Sequence, residues 1–532
     1  MKHLRLNTEY WILLTALFLA HVFFYFTALG TDAVDDAYIS FRYAQNAVRG
    51  AGLVFNPGER VEGFTNFLWT TLTIPLEGAG VDVGRASMLI GALFGLATIW
   101  LVLRFARIVG APRGIGWLAA FLLAADGSFV LWSVSGMETP LFAFLLFAGA
   151  LLYVQEQTSD KGQVTSDDER FTFHVSHHLS PVSRHLPLSG IFFALAAMTR
   201  PEGLFVFAIT VAHQAAWRVI AERRLFTWRD VARVFAFAII FAPYWLARWY
   251  YYKSFLPNTF HAKVAASGPA AQIERGWNHL TQFVNVHLSW IVLLPPIVAV
   301  WSAVSGQPSA IGGQRSSVVG HRSFWTTYFI ALIIPYAAYI VYVGGDWSVG
   351  RFFAPLMPFF YLLVAQGLAD IWRIIPSRAT RAEWIPAAFL VGAMFLASSF
   401  NGEYGIYIRS FDAGRASNAR VTMGRWLKAN APRGTLIAVD AAGQVPYFSE
   451  LPAVDMFGIN DLHIGRLQVA TLGQGTPGHE KFDLIYVILR QPEYVVIFGT
   501  LLDSVKEYER APVEWTNDPA LQKFLTLYRR KK

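Results

Sequence analysis

Apolar segments of membrane-spanning length alternate with short polar stretches up to about residue 400. A helix needs roughly 20 mostly apolar residues to cross a bilayer, and most of the segments reach or approach that length. We therefore predict a polytopic α-helical membrane protein with about 11 transmembrane helices. The predicted helices cover residues 10–29, 86–106, 114–134, 138–154, 188–198, 204–217, 234–250, 288–304, 325–343, 352–372 and 384–400.

The pattern changes after residue 400. Residues 435–440 and 494–498 are β-branched or aromatic runs of the kind found in buried strands. The sequence therefore predicts a transmembrane domain over residues 1–400 and a soluble α/β domain over residues 401–532.

Arginines set the predicted orientation of the helices. The strongest basic cluster in the chain comprises Arg218, Arg223, Arg224, Arg229 and Arg233. Cytoplasmic loops carry an excess of Lys and Arg, so this cluster is predicted to lie in the cytoplasm. Counting helices from it puts the N-terminus inside, a first external loop at 31–85, and residues 401–532 outside.

The composition agrees with a membrane protein. The chain is 54% hydrophobic and 15% charged, whereas soluble domains carry about 25% charged residues. Cytoplasmic loops and anionic lipid headgroups account for the net charge of +8 without a nucleic-acid partner. The absence of cysteine excludes disulfides and cysteine-ligated metals. No small-residue cleavage site follows residues 10–29, so this segment is predicted to be retained as a helix.

The first external loop opens with two adjacent carboxylates, Asp35 and Asp36. One aspartate would suffice to cap an interfacial helix. Two neighbouring carboxylates repel, which raises one pKa and favours a general base. They are also suited to bind a divalent cation such as Mg²⁺ or Mn²⁺, although the sequence requires no cofactor. Asp35 and Asp36 are therefore the candidate catalytic residues and the candidate metal ligands.

Cationic groups at the predicted external ends of helices are candidates for binding a phosphate. These are Arg42, His261, Lys263 and Arg351. A snorkelling lysine, pairing of Arg42 with the acids, and an Arg351–Asp346 ion pair are the structural alternatives.

Further polar residues on the same predicted face are candidates for binding an acceptor. They are Glu138, Asn258, Asp346, Asp461 and His463. Asp440 lies near the end of a predicted strand and suits acceptor contact or a cover over the site. His174, His177 and His178 resemble a metal-binding tract but lack acidic partners in register.

Six stretches of the chain form motifs that can be compared with known families. They are Asp-Asp-Ala-Tyr-Ile-Ser-Phe-Arg-Tyr-Ala (35–44), residues 52–69, Leu-Pro-Asn-Thr-Phe-His-Ala-Lys (256–263), Gly-Gly-Asp (344–346), Gly-Arg-Phe-Phe-Ala-Pro (350–355) and residues 455–464. These motifs resemble those of the GT-C superfamily of membrane glycosyltransferases. Within it the chain is most similar to the terminal β-(1→2) arabinofuranosyltransferases of actinobacterial cell walls and their bacterial relatives.

The resemblance implies a polyprenyl-phosphate sugar donor with arabinofuranose as its sugar. It also implies a glycan, lipid or protein acceptor on the outer side of the cytoplasmic membrane of a bacterium. It also implies that Asp35 or Asp36 is the catalytic carboxylate. The chain is shorter than the cell-wall enzymes, so transfer of mannose, glucose or aminoarabinose stays an alternative. A transporter of an anionic lipid or solute is a distant alternative, because the charges gather at one surface and no internal repeat is seen.

Overall fold

The computed structural model describes residues 2–30, 32–159, 187–223, 225–264, 269–305, 317–348, 350–374, 384–401 and 406–531. His174, His177 and His178 lie outside these ranges. Their resemblance to a metal-binding tract therefore rests on the sequence alone.

Helices make up most of the described chain before residue 431. The first nine are α1 (Lys2–Leu29), α2 (Asp35–Val48), α3 (Phe67–Gly78), α4 (Val83–Ile108), α5 (Arg113–Ala125), α6 (Gly127–Ser133), α7 (Thr139–Ser159), α8 (Leu188–Thr199) and α9 (Glu202–Trp217). The next eight are α10 (Trp228–Tyr252), α11 (Asn258–Lys263), α12 (Pro269–Val286), α13 (Leu294–Val304), α14 (Ser317–Tyr342), α15 (Met357–Ile374), α16 (Trp384–Phe400) and α17 (Ile406–Asn430).

Seven helices within the described ranges are long and apolar enough to cross a membrane, namely α1, α4, α7, α9, α10, α14 and α15. Two bent pairs, α5 with α6 and α12 with α13, reach the same length when each counts as one span. The shorter apolar helices are α8 and α16. These elements coincide with the predicted spans, and the prediction of a multi-pass helical membrane protein is confirmed.

The predicted helix 114–134 is divided into two helices that meet at 67°. Asp126 lies at the break, and its carboxylate accepts hydrogen bonds from the backbone N–H of Ser128 (2.8 Å) and Phe129 (3.2 Å). It therefore caps the start of α6. His287 lies 3.1 Å from the same carboxylate and precedes the second bend, of 84°. The two broken spans thus meet at one buried polar contact.

The C-terminal region carries a mixed five-stranded sheet. Its strands are β1 (Ile437–Val439), β2 (Ala453–Asp455), β3 (Tyr494–Ile497), β4 (Tyr508–Arg510) and β5 (Thr526–Arg530), in the order β2-β1-β3-β5-β4. Short helices between them are α18 (Gln444–Ser449), α19 (Leu462–Gly465), α20 (Leu484–Leu489) and α21 (Pro519–Gln522).

Strand β1 pairs in parallel with β2 and β3, and β5 pairs antiparallel with β3 and β4. The two predicted strands correspond to β1 and β3, and the predicted C-terminal α/β region is confirmed. The domain boundary after residue 400 stays a prediction.

The polar loop at 31–85 packs between the helical bundle and the sheet. Tyr43 and Phe64 share one buried core with Val496 of β3. Tyr38 shares another with Trp132, which belongs to α6. Each fully buried aromatic side chain contributes about 1.5–3 kcal/mol. Contacts on both sides therefore fix α2, and with it the first turn that carries Asp35 and Asp36.

Candidate active site

Helix α2 begins at Asp35, directly after a short link from α1. The backbone N–H of Val34 donates to the carbonyl of Ser135 at 3.0 Å, which ties this link to the segment before α7. Neither aspartate caps α2, because the N-cap position is Val34 and no side chain caps the helix. Both carboxylates are thus available for contacts with other parts of the protein.

Asp35 faces the sheet. Its two oxygens accept the backbone N–H groups of Gly443 (3.2 Å) and Gln444 (2.8 Å) at the start of α18. A Cβ at Gly443 would lie 1.9 Å from the carbonyl oxygen of Asp35, so only glycine permits this approach. The guanidinium of Arg420 lies 3.8 Å away. Burial raises the pKa of Asp35, although Arg420 and the N–H groups oppose the rise.

Asp36 faces the loops of the helical bundle. Its Oδ2 accepts a hydrogen bond from Trp347 Nε1 at 3.0 Å and pairs with Arg351 Nη1 at 3.2 Å. Its side chain is 29% exposed, about twice the value of 14% for Asp35. Burial opposes ionisation, but Arg351 and Lys263 together hold the pKa of Asp36 below its usual range. Asp36 is therefore an ionised carboxylate within reach of solvent.

Arg351 joins three carboxylates. Besides Asp36, its guanidinium lies 3.5 Å from Asp346 and 3.6 Å from Glu138. Glu138 also binds Arg200 at 3.1 Å and accepts the amide of Asn66 at 2.9 Å. The structure thus brings together three of the predicted site residues, Arg351, Asp346 and Glu138, around Asp36. The predicted Arg351–Asp346 ion pair is part of this cluster.

Lys263 is the cation with the fewest contacts in this cluster. It ends α11, is half-buried, and lies close enough to Asp36 to lower its pKa. Among the residues that the structure describes, it has no hydrogen bond or ion pair. An ammonium group with no partner beside an ionised carboxylate is suited to bind an anion.

His261 lies two residues before Lys263 in α11. Burial, with Arg466 and Lys481 nearby, lowers the pKa of His261. Its imidazole is therefore neutral at pH 7 and offers a hydrogen bond rather than a charge. Its backbone carbonyl accepts the ammonium of Lys481 at 2.8 Å, which connects α11 to the C-terminal region.

A C-terminal segment, residues 471–481, reaches the same cluster. Arg275 holds this segment by pairing with Glu480 at 2.8 Å and donating to the carbonyl of Gly475. The same guanidinium donates to the carbonyl of Gly344, which connects the segment to the turn before Asp346. His479 of this segment also lowers the pKa of Asp36, after Arg351 and Lys263. The segment is far from Asp36 in sequence, and only the tertiary fold reveals its place at the site.

Gly344 and Gly345 pack closely against protein side chains. Both have positive φ, and a Cβ there would lie 2.6 Å from the side chains of Arg275 and His279, respectively. These glycines therefore make room for protein side chains that shape the turn before Asp346.

Arg42 is placed away from the cluster, and its predicted role in phosphate binding is corrected. It is 1% exposed. Its guanidinium donates to the carbonyls of Phe55 (3.2 Å) and Leu451 (3.0 Å) and to Gln45 (3.1 Å). Arg42 therefore joins the first loop to the C-terminal region and is inaccessible to a ligand.

Asn258, Asp461 and His463 also have local structural contacts. The amide of Asn258 donates to three carbonyls, those of Gly458, Ile459 and Asp461. Asp461 caps α19, and His463 pairs with Asp483 at 2.9 Å. None of these contacts reaches Asp36, so the predicted contact of these residues with an acceptor stays a prediction.

The described residues contain no group of three or more His, Asp or Glu side chains placed to hold a metal ion. Asp35 and Asp36 bind different partners and do not form a shared ligand set. Dependence on Mg²⁺ or Mn²⁺ stays a prediction.

Sequence reasoning did not single out Trp347, Arg420 or His479. Trp347 directly follows the Gly-Gly-Asp motif and its candidate residue Asp346, so its position in the sequence indicated that it could belong to the site. Arg420 and His479 lie in the C-terminal region, and nothing in their neighbourhood in sequence indicates contact with the first loop.

The helical bundle and the C-terminal sheet of the described chain have the GT-C fold. The chain matches ArnT from Cupriavidus metallidurans bound to undecaprenyl phosphate with a TM-score of 0.58 and 14% identity, over 98% of both chains. At that identity the match establishes the fold alone.

Two curated relatives carry the name terminal β-(1→2)-arabinofuranosyltransferase. The Mycobacterium tuberculosis protein is 26% identical over 362 residues, covering 63% of this chain and 52% of its own length. The Corynebacterium glutamicum protein is 27% identical over 360 residues, covering 63% and 48%. The chain spans about half the length of these curated relatives. Residues 408–529 match a family described as a domain of unknown function (DUF8728). The predicted resemblance is confirmed.

Proposed function

We propose that this protein is a glycosyltransferase that uses a polyprenyl-phosphate sugar, transferring arabinofuranose from polyprenyl-phosphate arabinose to a glycan or glycoconjugate. The observation that carries the proposal is the accessible, ionised Asp36 beside Arg351 and Lys263. The names of the two relatives support arabinofuranose as the sugar.

Asp36 is the proposed general base. One of its oxygens is held by Trp347 and Arg351, which orients the carboxylate, while Oδ1 has no hydrogen bond to the described residues. Both oxygens of Asp35 are occupied by backbone N–H groups. Asp36 is thus the carboxylate with a free acceptor atom for the proton of an incoming hydroxyl.

Lys263 is the proposed first contact for the donor phosphate, with His261 and Arg351 as its neighbours. Arg351 already shares its charge among three carboxylates, whereas Lys263 pairs with no carboxylate of the described residues. A phosphate that binds Lys263 takes up part of the positive charge that lowers the pKa of Asp36. Donor binding therefore makes Asp36 a stronger base when the reaction needs one.

In the proposed reaction the acceptor hydroxyl oxygen forms a bond to the anomeric carbon of the sugar. The bond between that carbon and the phosphate oxygen breaks, and its electron pair leaves with polyprenyl phosphate. The hydroxyl proton goes to Asp36. Positive charge near the leaving phosphate and alignment of the hydroxyl contribute most of the rate.

The proposed location is the cytoplasmic membrane of a bacterium, with the active site on its extracytoplasmic face. The basic cluster at residues 218–233 supports this orientation, because it places the opposite ends of the helices, with Asp36 and Lys263, outside. A donor in the outer leaflet would then reach the site laterally.

Purified protein with labelled polyprenyl-phosphate arabinose and an octyl arabinofuranoside tests the function. We expect free polyprenyl phosphate and an arabinosylated product, both dependent on the acceptor. Two results would contradict a transferase that uses this donor. One is release of polyprenyl phosphate at the same rate with and without acceptor, and the other is no release in either condition.

A further inference from the structure

The sheet has a topological switch point beside Asp35. The chain leaves β1 to form β2 on one side, and β3 lies parallel to β1 on the other side. In open sheets of this kind, ligands bind in the crevice at the carboxyl ends of the strands where the order reverses. Here that crevice lies between the ends of β1 and β3.

The residues at these strand ends leave the crevice open. Asp440 follows β1, and its carboxylate accepts the backbone N–H of Phe498, which follows β3. The Phe498 side chain is 42% exposed. Gly499 has a φ of +83°, and a Cβ placed there would meet no atom within 4 Å. The strand ends therefore present a carboxylate and an aromatic ring to free space.

Arg420 of α17 completes this crevice. Its guanidinium lies over the Phe498 ring at 4.9 Å, and its Nε is 3.8 Å from Asp35. The side chain is 16% exposed. It makes no hydrogen bond to any residue in the described part of the chain, and its buried Nε has only the ion pair with Asp35 at 3.8 Å. A buried N–H donor without a hydrogen bond is costly unless something else binds it.

We propose that Asp440, Arg420 and Phe498 form the subsite that binds the terminal sugar of the acceptor. Arg420 donates to a sugar hydroxyl, Asp440 accepts from another, and the Phe498 ring packs on the C–H face of the sugar ring. The proposal rests on the proposed function, and it adds the place where the acceptor is held.

Charge and position both favour a neutral sugar. The crevice holds two carboxylates, Asp35 and Asp440, and one guanidinium, so an anionic headgroup is disfavoured. Asp35 is the residue before Asp36, and both belong to the first turn of α2. The crevice therefore adjoins the helical turn that carries the proposed base.

The test is the steady-state kinetics of Phe498→Ala with polyprenyl-phosphate arabinose as donor and octyl arabinofuranoside as acceptor. We expect the acceptor KM to rise on the order of tenfold, with an unchanged donor KM, and Phe498→Tyr to restore the wild-type value. Leu501→Ala is the matched control, because Leu501 is 50% exposed and only three residues away. Its kinetics should equal those of wild type.

A second variant, Asp440→Asn, keeps the shape of the crevice and should raise the acceptor KM alone. Wild-type turnover with an unchanged acceptor KM in both variants would overturn the subsite but leave the transferase intact. Absence of acceptor-dependent turnover in the wild type would overturn the proposed function and the subsite together. An increase in donor KM equal to that in acceptor KM would also overturn the subsite.

Discussion

Asp35 and Asp36 are neighbours in sequence, yet they belong to two different regions of the molecule. On the sheet side, Asp35 is bound by the N–H groups of Gly443 and Gln444. On the bundle side, Asp36 is bound by Trp347 and Arg351 from the loop between α14 and α15. Successive residues of a helix point about 100° apart, so one turn can present a carboxylate to each region.

This difference in contacts gives the two aspartates different roles, a structural role for Asp35 and a chemical role for Asp36. Burial raises the pKa of Asp35, whereas Arg351 and Lys263 lower that of Asp36 against burial. Mutual repulsion contributes only a minor part of the shift at Asp35. The pair is therefore not a dyad that shares one proton. One carboxylate joins two regions of the protein, and the other is available for reaction.

We expect the largest effect on kcat from Asp36→Asn, because Asp36 is the proposed general base. The amide keeps the size of the side chain but cannot take a proton, so kcat should fall about a thousandfold. Donor KM should change little, because Lys263 still offers its charge. Acceptor-dependent release of polyprenyl phosphate measures both values. A greater loss of kcat in Asp35→Asn than in Asp36→Asn would reverse the assignment.

Lys263→Gln gives the next largest effect. It removes the cation that has no ion pair among the described residues, so kcat/KM for the donor should fall about a hundredfold. Lys253→Gln is the matched control, since Lys253 is exposed and lies over the ring of Tyr250 at 4.0 Å. Equal losses in the two variants would show that Lys263 acts only as a general interfacial charge.

Local sequence properties account for the spans and for part of the site. Bilayer thickness sets the length of each apolar segment, so the spans can be read from composition alone. Asp36, Arg351 and Glu138 were grouped by their predicted position at one face of the membrane, and the structure places their side chains in one cluster.

The direction of single side chains could not be predicted in this way. Arg42 binds Leu451, and Asp35 binds Gln444, about four hundred positions away in each case. Such contacts depend on how the C-terminal region packs on the first loop. The break at Asp126 is not predicted either, because the residues on both sides of it are apolar and fit one continuous helix over 114–134.

Asp35→Ala should affect stability more than chemistry. It leaves the N–H groups of Gly443 and Gln444 without their acceptor, which costs about 1–3 kcal/mol, while kcat falls less than tenfold. Thermal unfolding in detergent and kcat should be measured on the same preparation. Asp82→Ala is the control, because Asp82 caps α4 through Arg85 and is away from the sheet. A large loss of kcat at unchanged stability would assign Asp35 to the chemistry.

The smallest predicted effect is a dependence of acceptor binding on pH. Burial raises the pKa of Asp440 to about 6, with Arg420 and the N–H of Phe498 lowering it and Asp35 raising it. Lowering the pH from 7.5 to 5.5 therefore protonates Asp440 and removes an acceptor of hydroxyl groups, while Asp36 stays ionised because its pKa is lowered. The acceptor KM should rise about threefold over this range.

In Asp440→Asn the acceptor KM should be raised already at pH 7.5 and should no longer change through this range. A pH dependence that persists in Asp440→Asn would assign the titration to another group, and Asp440 would then have no part in acceptor binding that protonation controls.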